Sequence, residues 1–133
     1  MVCHGDLDHK NVLWSDDSTP ILIDWESARK LNPTYEILLE ALDWCGITSS
    51  FDHELLKKFV AAYVEAGGEI DQRVLGASLD CILGDWLTWL MYNVGRCHDV
   101  EDAEQVAIGA AQVELSLATI VRLGHLLPWL MDT

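Results

Sequence analysis

The chain has 133 residues, of which 22 are acidic and 8 are basic, so its formal net charge is −14. This length suits one domain with a single core. The acidic balance argues against nucleic acid, whose phosphates bind clusters of Lys and Arg, and against anionic membranes. A cationic small molecule would be attracted instead, although solubility alone also accounts for such a charge.

We do not expect a signal for secretion or membrane insertion in this sequence. No apolar run reaches the ~18 residues of a membrane span, and the first residues lack the basic and apolar regions of a signal peptide. We therefore expect a cytoplasmic protein without a membrane partner. The four cysteines form no C-x-x-C pair, which favours free thiols in a reducing compartment. The adjacent pair Cys97 and His98 is a weak zinc signal, since neighbouring residues rarely ligate one ion.

The first predicted element is a loop from His4 to Asn11 with the spacing H-x-D-x-x-x-x-N. Asp24 follows it, directly after the apolar run 21–23. In phosphoryl transfer one carboxylate orients the attacking hydroxyl, while an amide and a second carboxylate hold the magnesium that bridges the nucleotide's phosphates. Asp6 is therefore the candidate catalytic residue, and Asn11 and Asp24 are the candidate metal ligands. The alternatives are a capping aspartate, a turn-forming amide and an acid that ends a strand.

These residues resemble a known family. HGDLDHKN followed by ILIDWE is similar to the catalytic and metal-binding segments of the aminoglycoside phosphotransferase and choline kinase group. That group has Gly after the first His where protein kinases have Arg, and Asp-Phe or Asp-Trp where they have Asp-Phe-Gly. NPTYE at 32–36 also resembles the group, in which a proline and an acidic residue open the next helix. Many members have Asp at the position of Glu36, which is expected to brace the loop.

The resemblance implies a protein-kinase-like carboxyl-terminal lobe. It implies ATP and Mg²⁺ as cofactors, and transfer of the γ-phosphate to a hydroxyl of an aminoglycoside-like or other amine or sugar substrate. It also implies a packing and hydrogen-bonding role for His4. Lys10 is a candidate contact to the transferred phosphoryl group, and an ordinary solvent-exposed lysine is the alternative.

A small β-hairpin is predicted after the loop. Residues 12–14 form one strand, 15–20 the turn and 21–23 the returning strand. A ladder fixes the distance between strands at ~5 Å, so Asn11 at the start of one strand and Asp24 at the end of the other are expected to face one ion.

Two helices are predicted next. The first begins with Asn32 as N-cap and Pro33 as first helical residue, and it ends near Gly46. The second is capped by Asp52 and ends at the glycines 67–68. Apolar residues recur along one face of each, which predicts that these faces are buried.

Two further helices complete the chain. The third runs from after Asp71 to about Gly95, with apolar residues around much of its circumference, which predicts burial on most sides. The fourth starts at an acidic cluster that suits the helix dipole, or that forms a wall attracting a cationic substrate, and it continues towards Gly124. A final apolar segment is broken by Pro128. The acidic cluster consists of Asp99, Glu101, Asp102 and Glu104.

We therefore expect one α+β, predominantly helical domain, with the loop and hairpin in 1–31 and a helical subdomain in 32–133. A kinase also needs a glycine-rich loop, a strand lysine and its glutamate partner, which lie upstream of the catalytic loop in this group. Only five residues precede Asp6, so the nucleotide-binding lobe is expected to be absent and the isolated chain inactive. The alternative is a non-catalytic helical remnant whose exposed apolar surface is buried in a homodimer or against a partner. A chance motif in an unrelated helical protein is the third hypothesis.

Overall fold

The computed structural model describes residues 1–16, 18–98 and 102–131, and the chain forms two compact units, 1–78 and 79–133. The described residues are mostly helical, with two small antiparallel strand pairs, which confirms the predicted α+β class. The kinase-like character of the lobe and the subdivision after residue 31 stay predictions. In chain order the elements are β1 (Val2–Cys3), β2 (Val12–Asp16), β3 (Thr19–Leu22), β4 (Arg29–Lys30), α1 (Pro33–Trp44), α2 (His53–Glu65), α3 (Leu75–Arg96) and α4 (Ala103–Met131).

Strands β2 and β3 form the predicted hairpin. Val12 pairs with Leu22 at its open end, and the register shifts between Trp14 and Asp16. The strands extend further towards the turn than the sequence predicted. Asp16 explains this, because its carboxylate accepts hydrogen bonds from the backbone N–H and the hydroxyl of Ser18 at 2.8 and 2.9 Å. This local bonding closes a short turn.

The beginning of the chain is held beside the segment that leads into α1. Strand β1 pairs with β4 so that Val2 faces Lys30 and Cys3 faces Arg29. Cys3 is buried, and its thiol lies 3.8 Å from the carbonyl oxygen of Leu31. The loop after β1 therefore starts from a fixed point against the amino-terminal end of α1.

Side-chain caps fix the starts of α1 and α2. The Asn32 side chain accepts a hydrogen bond from the Thr34 N–H at 2.9 Å, and Asp52 accepts from the N–H groups of Glu54 and Leu55. Each cap satisfies donors that have no partner within the helix. Both predicted helix starts are confirmed.

The core of the first unit is built mainly on α1. Leu38, Ala41 and Leu42 on this helix, and Cys45 directly after it, are all nearly inaccessible to solvent, as predicted. On α2 only Leu56 is buried, while Leu55 is 43% exposed. The apolar face predicted for α2 is thus only partly buried, and the helix contributes only a narrow stripe to the core.

In the second unit α3 and α4 pack antiparallel. The Trp89 indole N–H donates to Gln112 at 3.2 Å, and farther along α3 the Arg96 guanidinium donates to Gln105. Between these contacts Gly109 lies beside the fully buried Asn93. A Cβ atom on Gly109 would lie 3.0 Å from the carbonyl oxygen of Asn93, so a glycine at this position allows close approach.

Helix α3 differs from its prediction. Leu79 and Ile82 are buried, but Trp89, Met91 and Tyr92 are 42, 67 and 58% exposed. Burial on most sides is therefore wrong, since one stripe of α3 packs within the described part of the unit and the opposite side faces outward.

Helix α4 is longer than predicted and continues through Pro128 to Met131. Proline at 128 removes one backbone hydrogen-bond donor. This cost is offset because the continued helix keeps Leu126 and Leu130 buried. At the other end Asp102 accepts hydrogen bonds from the N–H groups of Glu104 and Gln105 at 3.0 Å, as a cap does. Asp99 and Glu101 of the predicted acidic cluster lie outside the described residues.

By length and composition alone, two helical stretches could cross a membrane, Gln72–Arg96 and Ala103–Leu130. In each, 22% of the apolar window is buried. A core helix of a water-soluble protein, which is mostly buried, satisfies the same criteria of length and composition. The absence of a membrane partner stays a prediction.

The two glycines at 84 and 109 predict opposite responses to alanine. Gly84→Ala should raise the free energy of unfolding by about 1 kcal/mol through helix propensity, because its Cβ would meet no described atom within 4 Å. Gly109→Ala should leave the protein at least about 1 kcal/mol less stable than Gly84→Ala, because its Cβ would crowd Asn93 and Arg96. Urea denaturation of both variants measures this. Equal stability would contradict the close packing of α3 and α4.

Candidate functional site

The loop after β1 brings together two of the three predicted site residues. The Asn11 side-chain amide donates hydrogen bonds to the backbone carbonyl of Asp6 at 2.7 Å and to its carboxylate at 3.2 Å. Asn11 is buried and ends a short 3₁₀ turn, whereas Asp6 is exposed. The amide therefore fixes the start and the end of the loop, and the Asp6 carboxylate remains open to solvent.

Asp24 is tied to the same loop through its neighbour in the chain. The Ile23 N–H donates to the Asn11 carbonyl at 3.0 Å, which continues the hairpin by one hydrogen bond. Asp24 then adopts φ 61° and ψ 60°, and it is the one non-glycine residue with positive φ among the described residues. Aspartate tolerates this left-handed conformation better than most residues, and such strain is common at functional sites.

His4 has the structural role that the resemblance implied. Its ring is buried, its Nε2 lies 2.9 Å from the Ile23 carbonyl, and its centroid lies 4.6 Å from that of Trp25. Within the described part of the chain Nδ1 has no hydrogen-bond partner. An Nε2–H tautomer satisfies this geometry, and it anchors the residue before Asp24.

Lys10 lies on the surface and pairs with Asp8. The hydrogen bond to Asp8 raises the pKa of the Lys10 ammonium group. Partial burial raises the pKa of Asp8, but the hydrogen bonds from the Lys10 side chain and backbone outweigh it and lower that pKa. The predicted contact of Lys10 with a phosphoryl group is untested, and stays a prediction.

One face of α1 holds the loop after β1. Glu36 accepts a hydrogen bond from the Gly5 N–H at 2.7 Å, and Glu40 accepts one from the Leu7 N–H at 3.0 Å. The Trp44 indole N–H donates to the Leu7 carbonyl at 3.1 Å. Glu36 therefore contacts the loop, as expected for the first acidic residue of this helix.

Glu40 and Trp44 were missed in the sequence, although a signal for them exists. Glu36, Glu40 and Trp44 are spaced four residues apart, so they share one helical face. Two acidic residues in such a row beside a buried apolar stripe indicate carboxyl groups that are close to the core and need hydrogen-bond donors. The row does not reveal which backbone groups supply those donors.

Glu40 is an unusual carboxyl group because it is 5% exposed. The pKa of Glu40 is raised to about 7 as the net result of three effects: burial raises it most, the hydrogen bond from Leu7 lowers it, and the negative charges of Glu36, Asp43 and Asp6 raise it. Near neutral pH the group is therefore divided between its charged and neutral forms.

The described residues contain no group of three or more His, Cys, Asp or Glu side chains arranged to hold a metal ion. The predicted metal ligands, Asn11 and Asp24, would not form such a group, because they are one amide and one carboxylate. The Asn11 amide nitrogen donates to Asp6, so Oδ1 is the atom of this side chain that could ligate a metal ion. Asp24 is exposed and makes no side-chain cap hydrogen bond, so its carboxylate could ligate a metal ion as well. Both are oxygen donors of the kind that Mg²⁺ prefers.

Glu40 makes stability depend on pH in a defined direction. Its pKa is about 7 in the folded chain against an ordinary value of 4.5, so its contribution to stability is complete below pH 4.5 and is lost as the pH rises through 7. The loss should be about 3 kcal/mol. Glu40→Gln cannot titrate, and its stability relative to the wild type should therefore rise over this range in denaturant titrations. A constant difference would contradict the buried, shifted carboxyl.

Comparison with known proteins assigns the chain to a family. The model of the phosphotransferase enzyme family, APH, matches residues 1–77. No curated protein and no solved structure matches the chain. The match covers more than half of the sequence, and it includes the loop, the hairpin and the acidic face of α1. The chain is a member of the phosphotransferase enzyme family.

Proposed function

We propose that this chain carries the catalytic loop of an ATP-dependent phosphotransferase that transfers the γ-phosphate to a hydroxyl of a small amine or sugar. The observation that carries the proposal is the junction at Asn11, which bonds to Asp6 through its side chain and to Ile23 through its carbonyl. Membership of the family supports the class of reaction. The net charge of −14 favours a cationic substrate.

Asp6 is assigned the role of orienting the attacking hydroxyl. Its exposed carboxylate can accept a hydrogen bond from the substrate hydroxyl and receive the proton as the bond to phosphorus forms. The hydrogen bond from Asn11 limits the rotation of this carboxylate, so the residue is oriented before the substrate arrives.

Asn11 and Asp24 are assigned as the protein ligands of magnesium. Bound there, magnesium would neutralise charge on the nucleotide's phosphates. Asn11 contributes a neutral carbonyl oxygen and Asp24 a charged one, and both side chains leave these atoms available. The left-handed backbone at Asp24 sets the direction of its carboxylate at the end of the hairpin.

Magnesium binding tests the ligand assignment without requiring turnover. Titration of the chain with MgCl₂ should shift the NMR signals of the Asn11 side-chain amide and the Asp24 backbone amide. Asp24→Asn should weaken the affinity about tenfold or more, because it removes one charged ligand while it tolerates the same backbone conformation.

Glu26→Gln is the matched control for that variant. Glu26 is exposed and lies two residues from Asp24, so its substitution removes the same charge from the same region. Affinity should remain within about twofold of the wild type. Equal weakening by both substitutions would show a diffuse electrostatic effect and contradict a defined site.

Asp6→Asn separates chemistry from metal binding. In any preparation in which the wild type transfers phosphate from ATP, this variant should lose about 10²-fold or more of its kcat, since the hydroxyl loses its proton acceptor. Its magnesium affinity should change little, because Asp6 is not an assigned ligand. Retained kcat would contradict the role of Asp6.

A second candidate function is a non-catalytic module that self-associates. The observation that favours it is the exposed apolar surface of the hairpin, where large side chains are between 37 and 57% exposed. These side chains are Leu13, Trp14, Ile21, Leu22 and Trp25. Analytical ultracentrifugation, together with the magnesium titration above, distinguishes the two functions. A dimer that does not bind magnesium favours the module, and a monomer that binds it favours the phosphotransferase.

A further inference from the structure

Helix α1 binds the loop backbone on both sides of Asp6. Glu36 accepts from Gly5, the residue before Asp6, and Glu40 accepts from Leu7, the residue after it. Trp44 also donates to the Leu7 carbonyl, so both backbone polar groups of Leu7 are bonded to the same helix. The peptide units that flank Asp6 are therefore fixed by one rigid element.

Packing alone does not account for an acid at position 40. Glu40 is only 5% exposed, and the acidic residues Glu36 and Asp43 place negative charge near its carboxyl group. A buried carboxyl in such surroundings destabilises a fold unless a specific contact compensates. The Leu7 N–H at 3.0 Å supplies that contact, and it belongs to the residue next to Asp6.

We propose that Glu40 is a positioning residue for the reaction, which fixes the Leu7 peptide and through it the direction of the Asp6 carboxylate towards the substrate hydroxyl. This inference rests on the proposed function of Asp6. It assigns a separate task to each acid of α1: Glu36 fixes the loop before Asp6, and Glu40 fixes it after Asp6.

The task of Glu40 predicts a local effect on the loop. In Glu40→Ala, hydrogen exchange of the Leu7 amide should accelerate about tenfold or more relative to the wild type, while the Gly5 amide, which bonds to Glu36, should change little. Glu40→Gln keeps an acceptor oxygen and should restore most of the Leu7 protection. NMR-detected exchange on the complete 133-residue chain measures both amides in one sample.

Two controls make the result specific. Glu36→Ala, which removes the acceptor of the Gly5 N–H, should accelerate exchange of the Gly5 amide and leave that of Leu7 protected, and Glu65→Ala, at an exposed position of α2, should leave both unchanged. Uniform acceleration along α1 and the loop in Glu40→Ala would show a general structural role and overturn the proposal. So would unchanged Leu7 exchange, or an absence of rescue by Glu40→Gln.

The experiment also distinguishes this inference from the proposed function. If Glu40→Ala does not fold, Glu40→Asp replaces it, because the shorter side chain withdraws the acceptor from Leu7 and should produce the same local acceleration. Magnesium titration of the wild type runs in parallel. A wild type that fails to bind magnesium counts against the metal ligands of the proposed function, whereas the exchange of Leu7 reports only on the contact with Glu40.

Discussion

Asn11 joins the parts of the candidate site, because it is bonded in two directions. Its side-chain amide donates to Asp6, and its backbone carbonyl accepts from Ile23, the residue before Asp24. Both contacts lie within a loop and a hairpin that a few residues close, so the entropic cost of bringing these groups together is small. A side chain that lacks either the amide or the right length would leave Asp6 tied to the hairpin only by the backbone. The spacing of Asp6 and Asn11 thus has a structural meaning as well as a chemical one.

Helix α1 shows how this first unit balances stability against the needs of a site. Leu38 and Leu42 bury an apolar stripe, while Glu36 and Glu40 on a neighbouring stripe bond to loop N–H groups. Burial of the Glu40 carboxyl near other acids disfavours the charged form. The same burial strengthens its hydrogen bond, because water does not compete for the donor. The destabilising cost of burying the Glu40 carboxyl therefore lies at the residue whose hydrogen bond fixes the loop backbone at Leu7.

The sequence predicted the features that depend on local chemistry. The caps at Asn32 and Asp52 follow from side chains that bond to backbone groups two or three residues away, and the hairpin follows from two short apolar runs around a turn. Contacts between distant segments were not predictable in this way. The bond from Leu7 to Glu40 spans 33 residues, and no local pattern identifies its donor. The predicted break at Pro128 was wrong for a related reason, since the effect of this proline depends on the packing around the end of α4.

The end of the family match lies beside the end of the first compact unit, within helix α3. The phosphotransferase match ends at residue 77, and the first compact unit ends at Ser78. Residues 1–77 therefore include the contacts by which Asn11 and α1 hold the loop after β1 together. The second unit has a packing of its own, built on Asn93 and Gly109, and its exposed aromatic residues Trp89 and Tyr92 lie outside the residues that the family model matches.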